Sequence, residues 1–489
     1  MPKRTAVIDI GSNSARMVVF EKTSHIAFHL IKEVKSRVRI GEGAYENGGR
    51  LQEIPLQRTY DALEGYKNII KTLKCRKVFC VATSALRDAP NSKDFIKKIK
   101  KDLDINIKII DGQKEAYYGG IAAKNLLMSI PNVTTVDIGG GSTELALIKD
   151  GKVTQTISIN LGTVRLKELF FDKNRPREEI LNYISSKLQD IPDSFKNSKL
   201  IVIGGTTRSL SELIMKKTNY PLETVHGFTY ELDKHIDFIQ EIQKSDILNL
   251  KNFSIKKDRV DTIREGLAIF ERICVKLNST EIITSGAGVR EGVYLCDLLR
   301  NLNHSFPKNY RLSLKSLTDR FFLKDRQNSS IVRYTKELFV ALSYLHQMDT
   351  KYIDTLGISA KLYNIGIKLN YYEKNLHSFY FIINGLNYGF SHEEKILIAL
   401  LIKYHMKKLP SSDDIKAYKE LLPDIKIVNW LSFILSLSNC LHKDLADDKF
   451  AFRYENHTLY IKSNKKLYLA RECIKKLAKP ATFAIVLED

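Results

Sequence analysis

Two short segments of the chain repeat one pattern: an apolar stretch that ends in aspartate, a turn of small residues, and a second apolar stretch. They are VIDIGSNSARMVVF, from Val7 to Phe20, and TVDIGGGSTELALI, from Thr135 to Ile148, and they align without a gap. A turn of glycine and serine exposes successive backbone N–H groups that can hold phosphate oxygens. A carboxylate beside the turn, such as Asp9 or Asp137, can hold magnesium or its water ligands. The matched pair therefore predicts phosphate and metal chemistry.

The segments that carry these turns are predicted to be β-hairpins, because apolar strand residues flank a tight turn. Two hairpins one domain length apart indicate two similar lobes with a cleft between them. Strands and amphipathic helices alternate around them, which is an α/β pattern. The predicted elements are a helix over Leu56–Leu73, a strand over Lys77–Ala82, a helix over Phe95–Lys101, a strand over Ile105–Ile110, a helix over Glu115–Met128 and a strand over Leu200–Ile203.

Two further passages place glycine directly after an apolar strand. One runs from Leu200 into Gly204-Gly205-Thr206-Thr207, and the other runs from Ile282 to Arg290. Strand-to-helix turns of this kind meet phosphates or sugars at a helix N-terminus.

The character of the sequence changes near Asn301, where clear strands give way to helical patterns. Helices are predicted over Ile331–Leu345, Glu393–Met406 and Ile427–Leu441, with strands near Phe450–Ile461 and Thr482–Leu487. We therefore expect one lobe over residues 1–125, a second over 126–304 and a mostly helical domain over 305–489.

The composition, with 44% hydrophobic and 27% charged residues in 489, is typical of a globular protein. The formal charge of +21 favours polyanionic partners, although compositional drift on solvated faces explains part of such an excess equally well.

The six cysteines are scattered without a CxxC pair, which argues against a disulfide framework or a zinc site and favours a reducing cytoplasm. The N-terminus has no apolar signal segment, and no apolar run reaches the roughly 18 residues of a membrane span. A cytoplasmic protein without a membrane partner is expected.

Eight ordered motifs make the chain resemble the exopolyphosphatase and guanosine pentaphosphate phosphohydrolase (Ppx/GppA) family, within the superfamily of actin, sugar kinases and heat-shock chaperone ATPases. They are DIGSNSARM, ATSALRDAPN, DGQKEA, DIGGGSTE, INLGTVRL, IGGTTRSL, RVDTIREG and SGAGVREG. The resemblance implies two actin-type, ribonuclease H-like lobes followed by an HD-like helical domain. It also implies a homodimer.

The resemblance assigns roles residue by residue. Glu115 matches the catalytic glutamate that orients or deprotonates the attacking water, although sequence alone would favour a surface glutamate at a helix start. Arg87 matches an arginine that grips phosphate through two parallel hydrogen bonds. Asp9, Asp137 and Glu144 are the expected magnesium ligands. The other expected phosphate-binding residues are Asn13, Ser14, Arg16, Ser84, Gly139, Gly140, Gly141, Ser142 and Thr143. Residues expected to bind a nucleotide or the phosphate chain are Gly204, Gly205, Thr206, Arg208, Arg259, Arg264 and Arg290.

The C-terminal region departs from the HD pattern, whose signature is an adjacent His-Asp pair. Tyr363 and Asn364 stand at the corresponding positions, so an HD metal site is not expected. His377, His392 and His405 are expected to be packing or surface residues. A basic extension with Lys403, Lys407 and Lys408 would suit a long polyanion or a dimer contact.

The leading hypothesis is a magnesium-dependent hydrolase that removes a terminal phosphate from polyphosphate, or converts pppGpp to ppGpp. Two alternatives remain open: a sugar- or acetate-type kinase on the same fold, and a non-catalytic sensor of (p)ppGpp or polyphosphate. A specific nucleic-acid partner is not expected, because helix-turn-helix, RNA-recognition and zinc signatures are lacking.

Overall fold

The computed structural model describes residues 3–321, 325–406 and 408–488. The chain forms two compact units, the first ending at Tyr310 and the second beginning at Arg311. The first unit carries both repeated hairpins, and each of them nucleates a sheet of its own.

The first sheet has five strands in the order β3-β2-β1-β4-β5. Its strands are β1 (Arg4–Ile10), β2 (Ala15–Lys22), β3 (Phe28–Ser36), β4 (Lys77–Ala82) and β5 (Ile107–Ile109). The β1–β2 and β2–β3 pairs are antiparallel, whereas β4 and β5 continue parallel to β1. The strands predicted at Lys77–Ala82 and Ile105–Ile110 are confirmed.

The second sheet repeats this arrangement and adds one edge strand. Its strands are β6 (Val133–Ile138), β7 (Thr143–Lys149), β8 (Lys152–Ile159), β9 (Lys199–Gly204), β10 (Thr229–Glu231) and β11 (Glu281–Thr284). The order is β10-β11-β9-β6-β7-β8, with β6–β7–β8 antiparallel and β9 and β11 parallel to β6. The lobes are thus the two similar halves of an actin-type α/β fold, as the repeat predicted.

Helices cover both sheets of the first unit. They are α1 (Glu53–Thr72), α2 (Ser84–Asp88), α3 (Ser92–Leu103), α4 (Gly112–Leu126), α5 (Thr163–Leu166), α6 (Arg177–Leu188), α7 (Gly205–Lys217), α8 (Ile236–Lys244), α9 (Ile263–Leu277) and α10 (Val289–Leu298). Short 3-10 turns lie at Asp193–Phe195, Asp233–His235, Asn249–Phe253 and Arg300–Leu302. Leu63 and Tyr66 of α1 pack with Ile99 of α3 in the core of the first lobe.

Two helices are exchanged between the lobes. Helix α4 follows the first sheet in sequence, but it packs on β6, β7 and β8 of the second. Helix α10 follows the second sheet, but its Tyr294 stacks on Phe20 of the first, with ring centroids 4.4 Å apart. The two helices cross at Gly292, where a Cβ would collide with the Tyr118 carbonyl. The packing of α4 therefore belongs to the second lobe, although residues 1–125 were expected to form the first.

The second unit is mostly helical, as predicted. Its helices are α11 (Leu312–Arg320), α12 (Asp325–Ala341), α13 (Ser343–His346), α14 (Tyr352–Leu362), α15 (Lys374–Gly385), α16 (His392–Lys403), α17 (Ser412–Ala417), α18 (Ile425–Leu441) and α19 (Tyr468–Ile474), with 3-10 turns at Ile365–Lys368 and Lys419–Leu421. A small sheet contains β12 (Ala451–Glu455), β13 (Thr458–Lys462) and β14 (Ala484–Glu488).

The histidines of the second unit are mainly part of its packing. His392 and His405 are buried, and the His405 ring lies edge-on to Tyr363, 5.1 Å between centroids. Lys403 pairs with Asp414 at 2.5 Å, so its charge already has an intramolecular partner. Lys407 lies outside the described residues.

One expectation about the cysteines is wrong. Cys440 of α18 and Cys473 of α19 form a disulfide, because packing of the two helices brings their Cα atoms within 5.5 Å. The two cysteines are separated by 33 positions in the sequence, and no local motif predicts their pairing. Within the described part of the chain, no helix combines the length and apolar character needed to span a bilayer.

Candidate active site

The two repeated turns have the same backbone geometry. In the first hairpin Asp9 lies opposite Arg16, and in the second Asp137 lies opposite Glu144. The Gly11 N–H donates to the Ser14 carbonyl at 3.1 Å, and the Gly139 N–H donates to the Ser142 carbonyl at 3.0 Å. Each turn therefore closes on itself and leaves its central N–H groups directed outward.

The tips of the two turns meet between the lobes. Ser12 of the first turn lies against Gly140 of the second, and the Ser12 hydroxyl is 3.0 Å from that of Ser84 at the start of α2. A Cβ at Gly141 would collide with hydroxyl oxygens from both Ser84 and Tyr45. A side chain at the tip would therefore have to displace these hydroxyl groups.

One side of this contact is a cavity of about 130 Å³ rich in arginine. The predicted residues that line it are Asp9, Asn13, Ser14, Arg16, Asp137, Gly139, Gly140, Gly204, Gly205, Thr206, Arg208, Arg259 and Arg290. Burial, and then repulsion from Arg208 and Arg290, lower the pKa of Arg16 to about 10. Guanidinium groups crowded in this way form a site that an anion would stabilise.

Two aspartates face the same cavity. Burial raises the pKa of Asp9 to about 6, although Arg290 and Arg16 oppose the shift, and burial also raises the pKa of Asp137. The Asp9 Oδ1 atom is buried and has no hydrogen-bond partner among the described residues. This orphaned oxygen is unusual, since buried polar atoms are normally paired.

Glu115 lies in the first turn of α4, whose N-terminus is capped by Asp111. The Lys114 N–H donates to the Asp111 carboxylate at 2.6 Å, and this cap directs the next residue inward. Arg87 Nη1 donates to Glu115 Oε2 at 3.3 Å. Burial, followed by repulsion from Glu144 and Asp9, holds the pKa of Glu115 well above its usual range.

Glu144 completes this group of acidic residues on the second hairpin. It is buried, and the Ser158 hydroxyl donates to its Oε1 at 2.8 Å. Burial raises the pKa of Glu144 to about 8, with Asp137 contributing and with hydrogen bonds from Ser142 and Ser158 opposing the shift. Asp9, Glu115, Asp137 and Glu144 repel one another, and a bound cation would relieve this repulsion.

A segment that sequence reasoning missed closes the cleft on the Gly141 side. Residues 43–45 of the first lobe dock on α5 and on a π-helical turn (Lys167–Phe171) of the second. The Gly43 N–H donates to Glu168 Oε1 at 3.0 Å, and the Arg165 guanidinium lies 4.5 Å above the Tyr45 ring. Arg165 also donates to the Gly141 carbonyl at 3.0 Å. The π-helical turn falls in a region where no periodic pattern signalled it, although such turns are frequent at functional sites.

Ion pairs join the lobes again beside Arg259. Asp261 accepts from Arg37 and Arg39, and Asp258 pairs with Lys35 of β3. These contacts fix residues 258–261 against the first lobe, so that Arg259 reaches the Gly205 turn.

The structure brings most of the predicted site residues together, and two of them have side chains that do not face the cleft. The Thr143 hydroxyl donates to the Leu161 carbonyl and is fully buried, so its side chain links β7 to the segment that follows β8 instead of facing the cleft. Arg264 does not line the cleft. Gly266 is the α9 residue that packs on Thr206, and Arg264, two residues earlier, points about 200° around the helix.

The remaining predicted residues lie beside the arginine-rich cavity, on its carboxylate side. Ser84 contacts Ser12, Arg87 contacts Glu115, and Ser142 hydrogen-bonds Glu144. The site therefore has arginine side chains on one side, and on the other side Glu115, which is close to the carboxylates of Glu144 and Asp9. Such a site can hold a phosphorylated anion and place a proton acceptor near it.

The paired sheets, the exchanged helices and the two turns define an actin-like ATPase fold. Residues 18–301 match the Ppx/GppA phosphatase family, and residues 311–476 match domain III of the same family. The chain belongs to the Ppx/GppA phosphatase family. The first turn precedes the matched range, so its assignment depends on the internal repeat and on its geometry.

Curated relatives and solved structures agree with this membership. The bifunctional 3-dehydroquinate synthase/phosphatase of Fusobacterium nucleatum is 32% identical over 304 residues, which are 57% of this chain and only 44% of that protein. The guanosine-5'-triphosphate,3'-diphosphate pyrophosphatase of Photobacterium profundum is 24% identical over 83% of this chain and 81% of its own length.

The solved structures match the two-lobed part of the chain. The Aquifex aeolicus Ppx/GppA family member is 28% identical, with a TM-score of 0.52 over 62% of this chain and 99% of its own. An exopolyphosphatase from Cytophaga hutchinsonii has a TM-score of 0.56 over 62% of this chain and all of its own, and at 22% identity it supports the fold alone.

Proposed function

We propose that the chain hydrolyses a terminal phosphoanhydride, releasing phosphate from inorganic polyphosphate, converting pppGpp to ppGpp, or both. The observation that carries the proposal is the contact between Arg87 and Glu115, with Nη1 3.3 Å from Oε2, beside the two phosphate-binding turns. A phosphate bound at the turns would have the Arg87 guanidinium and the Glu115 carboxylate at its exposed end. This pair suits transfer of the phosphoryl group to water, because the guanidinium can hold the phosphoryl oxygens and the carboxylate can accept a proton from water.

In the proposed reaction a water oxygen forms a bond to the terminal phosphorus while the bridging P–O bond breaks. Glu115 takes the proton of that water, and the bridging oxygen leaves with the shortened chain. Arg87 and the N–H groups of the turns hold the transferred phosphoryl oxygens. Arg16, Arg208 and Arg290 neutralise the departing phosphates.

We propose that Asp9, Asp137 and Glu144 serve a magnesium ion. The orphaned Asp9 Oδ1 and the raised pKa values of all three carboxylates support a cation here. No group of three or more His, Cys, Asp or Glu in the described ranges is already gathered as a ligand set. Magnesium usually takes one or two carboxylates together with waters and substrate phosphates, so some of the three would act on the ion through its waters. When bound, the ion would neutralise phosphate charge.

Glu115→Gln tests the reaction, with Glu64→Gln on the exposed face of α1 as the matched control. Phosphate release from long-chain polyphosphate and from pppGpp, with magnesium, should fall at least about 100-fold in the first variant and persist in the second. Unchanged release by Glu115→Gln would exclude the proposed base. Absence of release by the wild type on both substrates would favour a sensor, and phosphorylated acceptor formed from ATP would favour a kinase.

We also propose a homodimer, supported by apolar side chains exposed on the second unit. Leu369, Tyr371, Tyr372 and Tyr380 are each about two-thirds exposed or more, within one short stretch that ends on α15. The Tyr371 and Tyr372 rings contact each other, and exposed apolar groups of this size are typical of interaction surfaces. Sedimentation of the wild type and of Tyr372→Ser/Tyr380→Ser tests it, since a monomeric wild type would exclude the dimer.

A further inference from the structure

A second cavity, of about 400 Å³, lies on the second lobe away from the Gly11 and Gly139 turns. It is formed by α6, α8 and α9 together with the segment that follows the π-helical turn. Four cationic side chains line it: Arg175, Arg177, Lys244 and Arg264. Its remaining lining residues are neutral, and Phe171 supplies an aromatic face.

Among the cations of this cavity, Arg264 interacts electrostatically with the neighbouring Glu265. None of the four has an ion-pair partner among the described residues, although ion pairs are frequent elsewhere on this lobe. The Arg264 Nε atom is buried and has no hydrogen-bond partner among the described residues. Like charges converge here from three segments, namely residues 175–177, α8 and α9, and their mutual repulsion would be relieved by a multivalent anion.

The cavity also has a fixed polar wall. Arg177 donates to Gln243 Oε1 at 3.3 Å, and Gln243, which is buried, donates in turn to the Leu267 carbonyl at 3.2 Å. The Arg264 guanidinium stacks on Phe171, 5.4 Å from the ring centroid. Two guanidinium groups are therefore oriented before any ligand arrives, which lowers the entropic cost of binding.

We infer that this cavity is a second anion-binding site, which takes a short chain of phosphoryl groups. The inference does not depend on the proposed hydrolysis, because it concerns binding at residues outside the cleft. The phosphoryl chain could be an inorganic oligophosphate or the tail of a nucleotide, and both present the same oxygens to the four cations.

The test is calorimetric titration of full-length protein in the Glu115→Gln background, where turnover should not consume the probe. Inorganic tripolyphosphate should bind at two sites per chain. Arg177→Gln/Arg264→Gln should abolish one site or weaken it at least about tenfold, while Arg16→Gln should affect the other. A variant pair on the exposed surface of the same lobe, Lys149→Gln/Lys216→Gln, should retain both sites.

Three outcomes would overturn the inference: a single parent site that survives Arg177→Gln/Arg264→Gln, two unchanged sites in that double variant, or an equal loss in the surface control. Lys244→Gln, an exposed change at the end of α8, repeats the test if the double variant loses its circular dichroism. A parallel titration with GTP distinguishes an inorganic oligophosphate from a nucleotide as the ligand. Tighter binding of GTP than of tripolyphosphate at this site would indicate that the ligand is a nucleotide. Because hydrolysis is assayed separately, failure of this inference and failure of the proposed function are distinguishable.

Discussion

Arg87 and Glu115 come from different helices of the first unit and meet with Nη1 3.3 Å from Oε2. Arg87 lies in the last turn of α2, whereas Glu115 belongs to α4, the helix that packs on the second sheet. The pair therefore spans the two lobes, and its distance depends on how they close.

The guanidinium geometry of Arg87 should matter more than its charge. Arg87→Lys keeps the charge but loses the planar fork, so kcat for phosphate release should fall about 10- to 1,000-fold. Steady-state kinetics on polyphosphate measure it, with Arg76→Lys in the loop before β4 as the control. Equal kcat in Arg87→Lys and wild type would contradict a bidentate role.

Gly141→Ala should abolish closure of the cleft. The new methyl group would collide with the Ser84 and Tyr45 hydroxyls, so the lobes would be held apart and kcat/KM should fall at least about 100-fold. Gly65→Ala in α1 has open space around its Cβ and should retain activity. Small-angle scattering reports lobe separation, and full activity of Gly141→Ala would show that closure is not required.

Tyr45→Phe tests the docked segment at residues 43–45. The change keeps the ring on which Arg165 stacks, but it removes the hydroxyl beside Gly141 and Ser12. If this hydroxyl positions the transferred phosphate, kcat should fall about 3- to 30-fold with little change in KM. Tyr344→Phe, an exposed tyrosine of the second unit, is the control. A rise in KM alone would assign Tyr45 to ground-state binding instead.

Asp261→Asn should loosen the other interlobe contact. Arg37 and Arg39 both pair with Asp261, and the adjacent Arg259 reaches the Gly205 turn. These pairs are partly exposed, so the loss should be modest, about 2- to 10-fold in KM, and should shrink at high salt. Kinetics at 50 mM and 500 mM salt measure it, and a salt-independent effect would point to a packing change.

His405 should make the stability of the second unit depend on pH. Complete burial lowers its pKa to about 4, against an ordinary value near 6.5. As pH falls from 6.5 to 4, the unfolded chain takes up a proton that the folded one resists, so the free energy of unfolding should drop by up to about 3 kcal/mol. Denaturant titrations across this range measure the slope.

His405→Gln should reduce that slope, to which the lowered pKa values of His346 and His442 also contribute, whereas His377→Gln on the less buried side of α15 should keep it. An unchanged pH dependence in His405→Gln would show that another group is responsible.

The repeated hairpins could be recognised from sequence because strand, turn and strand are local features with a clear period. Asp9, Asp137 and both glycine turns were found in this way, and family resemblance added Arg87 and Glu115. Contacts between distant segments have no such period. Tyr45, Arg165 and Glu168 were missed for that reason.

The same limitation explains the errors. Arg264 and Arg259 belong to the same motif, and Arg259 lines the cleft. Arg264 lies on a different face of α9 and lines the second cavity instead. The Cys440–Cys473 disulfide depends on the packing of α18 against α19, which no spacing in the sequence announces.

The exchange of α4 and α10 has a consequence for how the first unit folds. Helix α4, which follows the first sheet in sequence, packs on the second sheet, and α10, which follows the second sheet, packs on the first. The two helices are in close contact at Gly292 and Tyr118. Neither lobe would complete its core as an isolated fragment. A chain cut in the exposed loop at residues 129–132 should therefore yield two halves that gain structure only when mixed, as complementing fragments do.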